Sequence, residues 1–137
     1  MKASLVLSLA LALAFAAATY CDASSPFLPP VHVVMTNNLA GGVDVTIHCK
    51  SKNDDLGEHL VHSSQSWDFT FRPSYWNSTD FYCSFQWQGA LHWFDVYVEK
   101  RDFYTCTECK WSLREKQICR FNDKSGSYDD CYDYNSS

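Results

Sequence analysis

Positive charge is scarce in this sequence: 11 Lys and Arg stand against 16 Asp and Glu, a net −5. No basic stripe interrupts that balance, so neither a nucleic acid nor an anionic membrane surface is an expected partner. Long apolar runs are scarce too. Beyond residues 5–18 no stretch approaches the ~20 residues of a membrane helix, so no membrane insertion of the mature chain is expected. There is no G-x-S-x-G and no H-E-x-x-H, hence no nucleophile elbow and no zincin helix. A single C-x-x-C without a second one removes the usual paired zinc arrangement. A sustained helical period is missing as well. These residues assign no catalytic set, no cofactor and no metal site.

What is present begins at the N-terminus. Lys2 is followed by an uncharged apolar run from Leu5 to Ala18, then by small residues at Ala16-Ala17-Ala18 and Cys21-Asp22-Ala23. That order reads as a secretory signal peptide over residues 1–23, leaving one domain over 24–137. Seven cysteines bear on the cleavage site. Cleavage after Ala18 keeps all seven, whereas cleavage after Ala23 removes Cys21 and keeps Cys49, Cys83, Cys106, Cys109, Cys119 and Cys131. An oxidising compartment favours the even set, so parity points to Ala23, with Ala18 still open. Six cysteines permit 15 pairings, and the sequence does not choose among them.

The domain reads as strands. Three prolines make residues 24–30 a loose leader. Val31, Val33 and Met35 alternate in a first strand. After Asn37-Asn38 and Gly41-Gly42, Val43, Val45, Ile47 and Cys49 alternate in a second, and the two are expected to pair as a hairpin. Residues 50–57 read as a loop. Trp67, Phe69 and Phe71 mark a third strand, stopped by Pro73; Phe81, Cys83, Phe85 and Trp87 mark a fourth. Residues 91–98 are apolar on both parities and predict a central strand covered on both faces. Cys109, Trp111 and Leu113 alternate again, with 118–121 as their partner. In the polar tail after Asn122 only Cys131 looks able to hold the chain. Short strands with frequent turn signals predict an all-β fold, a small antiparallel β-sandwich stabilised by disulfides. Cys49, Cys83 and Cys109 fall on the apolar parity and are expected to be structural.

Cys106-Thr107-Glu108-Cys109 could be a redox pair, but no helix signal accompanies it, and a structural disulfide is the expectation. His59 and His62 could share a metal if their segment were helical, but two ligands are too few. Asp54, Asp55 and Glu58 lack the D-x-D-x-D-G order of a calcium loop and read as a solvated turn. Asn77-Ser78-Thr79 is a glycosylation sequon, and Asn77 is the expected site; Asn135-Ser136-Ser137 fits the pattern at the extreme C-terminus.

Taken in order, these segments resemble the plant self-incompatibility protein family, also called S-protein homologues. The resemblance runs from Val31 to Tyr132. Its strongest block is His48-Cys49-Lys50-Ser51-Lys52-Asn53-Asp54-Asp55-Leu56-Gly57, supported by Phe69-Thr70-Phe71, Phe81 to Trp87, Phe94-Asp95-Val96-Tyr97, Cys106-x-x-Cys109-x-Trp111, Cys119 and Cys131-Tyr132. Residues 115–118 depart from it, since many relatives carry a Gly there. The resemblance implies a secreted, extracellular, disulfide-bonded β-sandwich without enzymatic activity. Founding members are stigma proteins acting as ligands of a pollen-surface receptor. A cell-surface receptor protein is thus the expected partner, and the oligomeric state is open. A defence protein binding microbes or glycans is the second reading, and a secreted enzyme the third. Loops on a rigid frame carry recognition, so the candidate contact surfaces are 54–62, with Asp54, Asp55, Glu58 and His59, and 74–79, with Tyr75 and Trp76.

Overall fold

The computed structural model describes residues 28–135 apart from 75 and 77. The expected signal peptide, Tyr75 and Asn77 therefore lie outside the described residues. Among the described residues nine strands form two packed sheets: β1 (Val31–Asn37), β2 (Val45–Lys50), β3 (Asp55–Val61), β4 (Ser66–Phe71), β5 (Phe81–Trp87), β6 (Ala90–Tyr97), β7 (Glu108–Leu113), β8 (Gln117–Asn122) and β9 (Ser127–Asp133). A one-turn helix, α1 (Glu99–Asp102), links β6 to β7. The five-stranded sheet has the order β4-β1-β7-β8-β9 and the four-stranded sheet the order β3-β2-β5-β6. All neighbours are antiparallel except β1 and β7, which run parallel with His32 opposite Glu108.

The expected β1–β2 hairpin does not form. The two strands lie in opposite sheets, and their apolar faces meet across the core. Alternation shows that a strand is half-buried; it does not name the neighbour. Between them the chain makes a 3-10 turn over Ala40–Gly42, with Gly41 and Gly42 at φ 78° and 67°, a region open to glycine at little cost. Buried Asn37 secures this crossing. Its Nδ2 donates to the carbonyls of Val43 (2.8 Å) and Val61 (3.1 Å), and its Oδ1 accepts from the Leu39 amide (3.1 Å). Glu115, in the β7–β8 turn, accepts from the Ala40 amide on the same crossing.

Two further expectations are corrected. The expected 50–57 loop shrinks to residues 51–54, and β3 begins at Asp55. A bulge hides its alternation: Gly57 sits at φ 77°, so Leu56 turns inward while Asp55 stays outside. Strand β6 is an edge strand rather than a central one. Phe94, Val96 and Tyr97 enter the core, but Leu91 and Trp93 face out. The tail, too, is more firmly held than its composition suggests. It forms β9, and Tyr132 and Tyr134 pack on the core.

Both seams between the sheets are closed by side chains. At one, His59 of β3 stacks on Trp67 of β4 at 4.2 Å. At the other, Asn135 clips the backbone of Trp93 on β6: its amide donates to the Trp93 carbonyl (2.7 Å), and its Oδ1 accepts from the Trp93 amide (3.0 Å). Disulfides join Cys49 to Cys83 across β2–β5, Cys119 to Cys131 across β8–β9, and Cys106 to Cys109 at the start of β7. The first two are staples within a sheet, each with Cα atoms 4.0 Å apart. Cys49–Cys83 spans 34 positions of sequence. On chain entropy it contributes most, roughly 3–4 kcal/mol.

Two charged side chains, Asp102 and Arg120, lie inside this apolar frame. Asp102, fully buried, receives Arg101 in a two-point contact (2.9 and 2.7 Å), the Val98 amide (2.8 Å) and Arg120 Nη1. Arg120 Nη2 also approaches Asp130 of β9 at 3.5 Å. The Arg101 guanidinium lies 5.2 Å from the ring centroids of Phe94, Trp111 and Tyr132, within cation–π range. Removing one partner of such a pair strands the other charge. Asp102→Asn is therefore expected to lower unfolding free energy in urea by about 3–5 kcal/mol. Asp102→Leu combined with Arg120→Met should cost clearly less than the two single changes summed. Additive losses would show that the carboxylate and the guanidinium are not coupled.

Candidate functional site

At one end of the sandwich the β2–β3 turn and the β4–β5 connection face one another across a cleft of about 1010 Å³. The turn is set by Ser51, whose amide donates to the Asp54 carbonyl (2.8 Å) and whose hydroxyl accepts from the Asp54 amide (3.1 Å). Lys52, Asn53 and Asp54 line one wall. Ser74, Ser78, Thr79 and Asp80 line the other, with Phe71 and Phe81 between. Asp80 also accepts from the Glu99 amide (3.1 Å), tying the connection to α1. The lining thus offers hydroxyls, an amide, carboxylates and an ammonium over an aromatic base. That chemistry suits polar recognition. No group of three or more His, Cys, Asp or Glu among the described residues could hold a metal ion.

The structure sorts the candidate residues into different roles. Asp54 is exposed on the cleft wall. Trp76 is exposed on the facing connection, its amide bonded to the Ser74 hydroxyl at 3.2 Å. The other three lie on strand β3, which corrects the expectation that 54–62 is a loop. Asp55 pairs with His48 (2.6 Å), approaches Lys50 (3.9 Å) and accepts from the Gly57 amide (2.9 Å). It clamps the β3 bulge onto β2. Glu58 points to solvent opposite His48. His59 points inward, donates from Nε2 to the Leu56 carbonyl (2.7 Å) and stacks on Trp67, so it belongs to the seam.

Sequence reasoning missed the outer face of the four-stranded sheet. Leu60, Tyr82, Leu91 and Trp93 are exposed there. The available signal was parity: Leu91 and Trp93 fall opposite to Phe94 and Val96, which fill the core. Asp95 lies on the same face and also lines the cleft; burial raises its carboxyl above the ordinary value, against a lowering pull from Arg101.

Asp55 gives this region an acid dependence. The Gly57 amide first, and His48 next, hold its carboxyl below the ordinary 3.8. A depressed carboxylate stabilises the fold above its unfolded value, and that contribution disappears as pH falls through the folded value. The stability difference between the native protein and Asp55→Asn should therefore be constant above about pH 5 and close below pH 3.8. Urea unfolding across that range measures it, and a difference that does not vary with pH would rule the clamp out.

Residues 32–134 match the family model described as plant self-incompatibility protein S1. S-protein homolog 5 of Arabidopsis thaliana is 46% identical over 101 residues, covering 72% of this chain and 79% of its own length. S-protein homolog 29 of the same plant is 39% identical over 115 residues, covering 84% of each. A solved self-incompatibility protein homologue, from what is described as a widespread family of small, highly stable, secreted plant proteins, aligns with a TM-score of 0.56 at 17% identity. It covers 78% of this chain and 96% of its own, a likeness of fold. The family match takes in β2 to β9 whole and β1 from His32 onward, and the chain belongs to the plant self-incompatibility protein family, the S-protein homologues.

Proposed function

We propose that this protein is a secreted extracellular ligand recognised by a cell-surface receptor protein, with residues 1–23 as its signal peptide and 24–137 as its mature domain. The observation that carries the reading is the cleft. Residues 51–54 and, from a connection remote in sequence, residues 72, 74 and 78–80 converge on one concavity at the end of a disulfide-stapled frame. A frame of this kind holds its loops in place before a partner arrives, which lowers the entropic cost of binding. Family membership and an oxidised cysteine set support an extracellular setting. The Asn77 sequon, on the secretory route, would place a glycan on the β4–β5 connection. Catalysis is no part of this reading.

A second reading, a defence protein that binds microbial glycans, draws on one observation: Trp76 is 90% exposed beside a polar cleft. Large exposed rings serve sugar faces as well as protein surfaces.

Labelled protein secreted from plant cells should bind intact target tissue saturably, and protease treatment of the tissue should abolish that binding. The pair Lys52→Glu and Asp54→Lys, on the exposed turn, should weaken binding by about tenfold or more with Tm unchanged. Non-saturable binding would remove the receptor reading. Glycan-array binding lost on Trp76→Ala would transfer support to the second.

A further inference from the structure

On an antiparallel strand with one face in the core, the outward positions are ordinarily polar. The four-stranded sheet departs from this. Six large hydrophobic residues are exposed among the described residues, and four of them project from its outer face. Leu60 is 61% exposed, Leu91 66%, Tyr82 47% and Trp93 43%. Registration shows how they are laid out. Leu60, Thr46, Gln86 and Leu91 stand abreast across all four strands. Trp93 pairs with Ser84 and Tyr82 with Asp95, so the two residues are diagonal neighbours, their Cα atoms about 7–8 Å apart by sheet geometry. Between them is a depression of about 420 Å³ whose walls include His48, Ser84 and Asp95. The outer face of the five-stranded sheet is different: His32 bonds Asp68 at 2.6 Å, Thr36 bonds Ser66 at 2.6 Å, and among the described residues no large exposed apolar side chain stands on it.

A contiguous patch of this sort marks an interaction surface, and Trp and Tyr are the residues that most often anchor one. Its charge narrows the occupant. Asp54, Asp55, Glu58, Asp80 and Asp95 stand on the face or at the adjoining cleft, against Lys50, Lys52 and Arg72. Asp55 is already occupied by His48 and Lys50. Two copies packed face to face would set carboxylate against carboxylate, in a chain of net charge −5. A partner with basic residues around an apolar centre meets no such repulsion. Tyr82 and Asp95 line both the depression and the cleft, so the two surfaces are continuous.

We infer that the outer face of the four-stranded sheet is a docking surface for a protein partner bearing an apolar patch rimmed by Lys or Arg, continuous with the end cleft through Tyr82 and Asp95. This rests on the receptor reading and extends its contact area from two loops to a sheet face.

The test uses the same tissue-binding measurement. Leu91→Thr with Trp93→Thr keeps strand-forming residues at solvent positions and should raise Kd about tenfold or more, with Tm near the native value. Glu58→Lys, on an exposed site, should slow association and flatten its salt dependence, and it keeps the question open to test should the double variant fail to fold. If native protein binds saturably and both variants match it, the sheet face is overturned while the receptor reading survives. If native protein does not bind saturably, both fall. A native dimer dissolved by the double variant would overturn the proposal in favour of a second copy. Binding that survives protease but not wall-glycan digestion would overturn it in favour of a polysaccharide.

Discussion

The carboxylate of Asp102 is out of reach of water, and two guanidinium groups and a backbone amide are arranged around it. Taking such an ion from water costs several kcal/mol, so its position is tolerable only with those donors in place. The donors come from two separate parts of the chain. Val98 and Arg101 belong to the β6–α1 corner, Arg120 to β8, and Asp130 on β9 takes the far side of Arg120. Arg101 also donates to the Asp95 carbonyl (2.7 Å), and Trp111 beneath it donates from Nε1 to the Val96 carbonyl (2.9 Å). One corner of the four-stranded sheet is thereby registered against three strands of the other sheet. Apolar packing alone would allow the sheets to slide; a carboxylate with fixed donors does not.

The disulfides act differently. Two join neighbouring strands, one pair in each sheet, and among the described residues none joins the sheets. They stiffen each layer, and the layers are located by the charged cluster, by Asn37 and by the two seams. At its β6 edge the four-stranded sheet is guarded by polar contacts, with Asn135 on Trp93 and Arg101 on the Asp95 carbonyl. An edge with its backbone groups engaged is a poor template for another strand. The exposed side chains of β6 can then serve recognition without inviting edge-to-edge pairing.

Much of this was legible in residue parity. Phe81 to Trp87 and Cys109 to Leu113 alternate cleanly, and those strands lie where alternation placed them. Parity failed in two ways, each with a physical cause. It carries no information on partners, so β1 and β2 looked like a hairpin although Gly41 and Gly42 take the chain to the opposite sheet. It also breaks at bulges: Gly57 on β3 and the irregularity at Phe81–Tyr82 opposite β6 shift one face onto the other. The surface reading inherited both faults. Asp54, Ser74, Ser78 and Thr79 meet at one cleft because they stay in connections between strands. Asp55 and His59 were absorbed into a clamp and a seam. Trp93 and Leu91 were overlooked because apolar residues on both parities suggest a covered strand, and an edge strand with an adhesive outer face gives the same pattern.

The parallel pairing of β1 with β7 has a consequence for how the chain is made. His32 and Glu108 are opposite one another, 108 − 32 = 76 positions apart. During synthesis β1 can dock early only on β4, its antiparallel neighbour, while its other edge waits for β7 to be delivered. Pairings of such long range are slow, because the loop must close before any contact compensates. The five-stranded sheet is therefore completed from its β4 edge toward β9, after most of the polypeptide has emerged. Until then the free edge of β1 is bare, and an unpaired apolar edge is an aggregation hazard for a chain still being made.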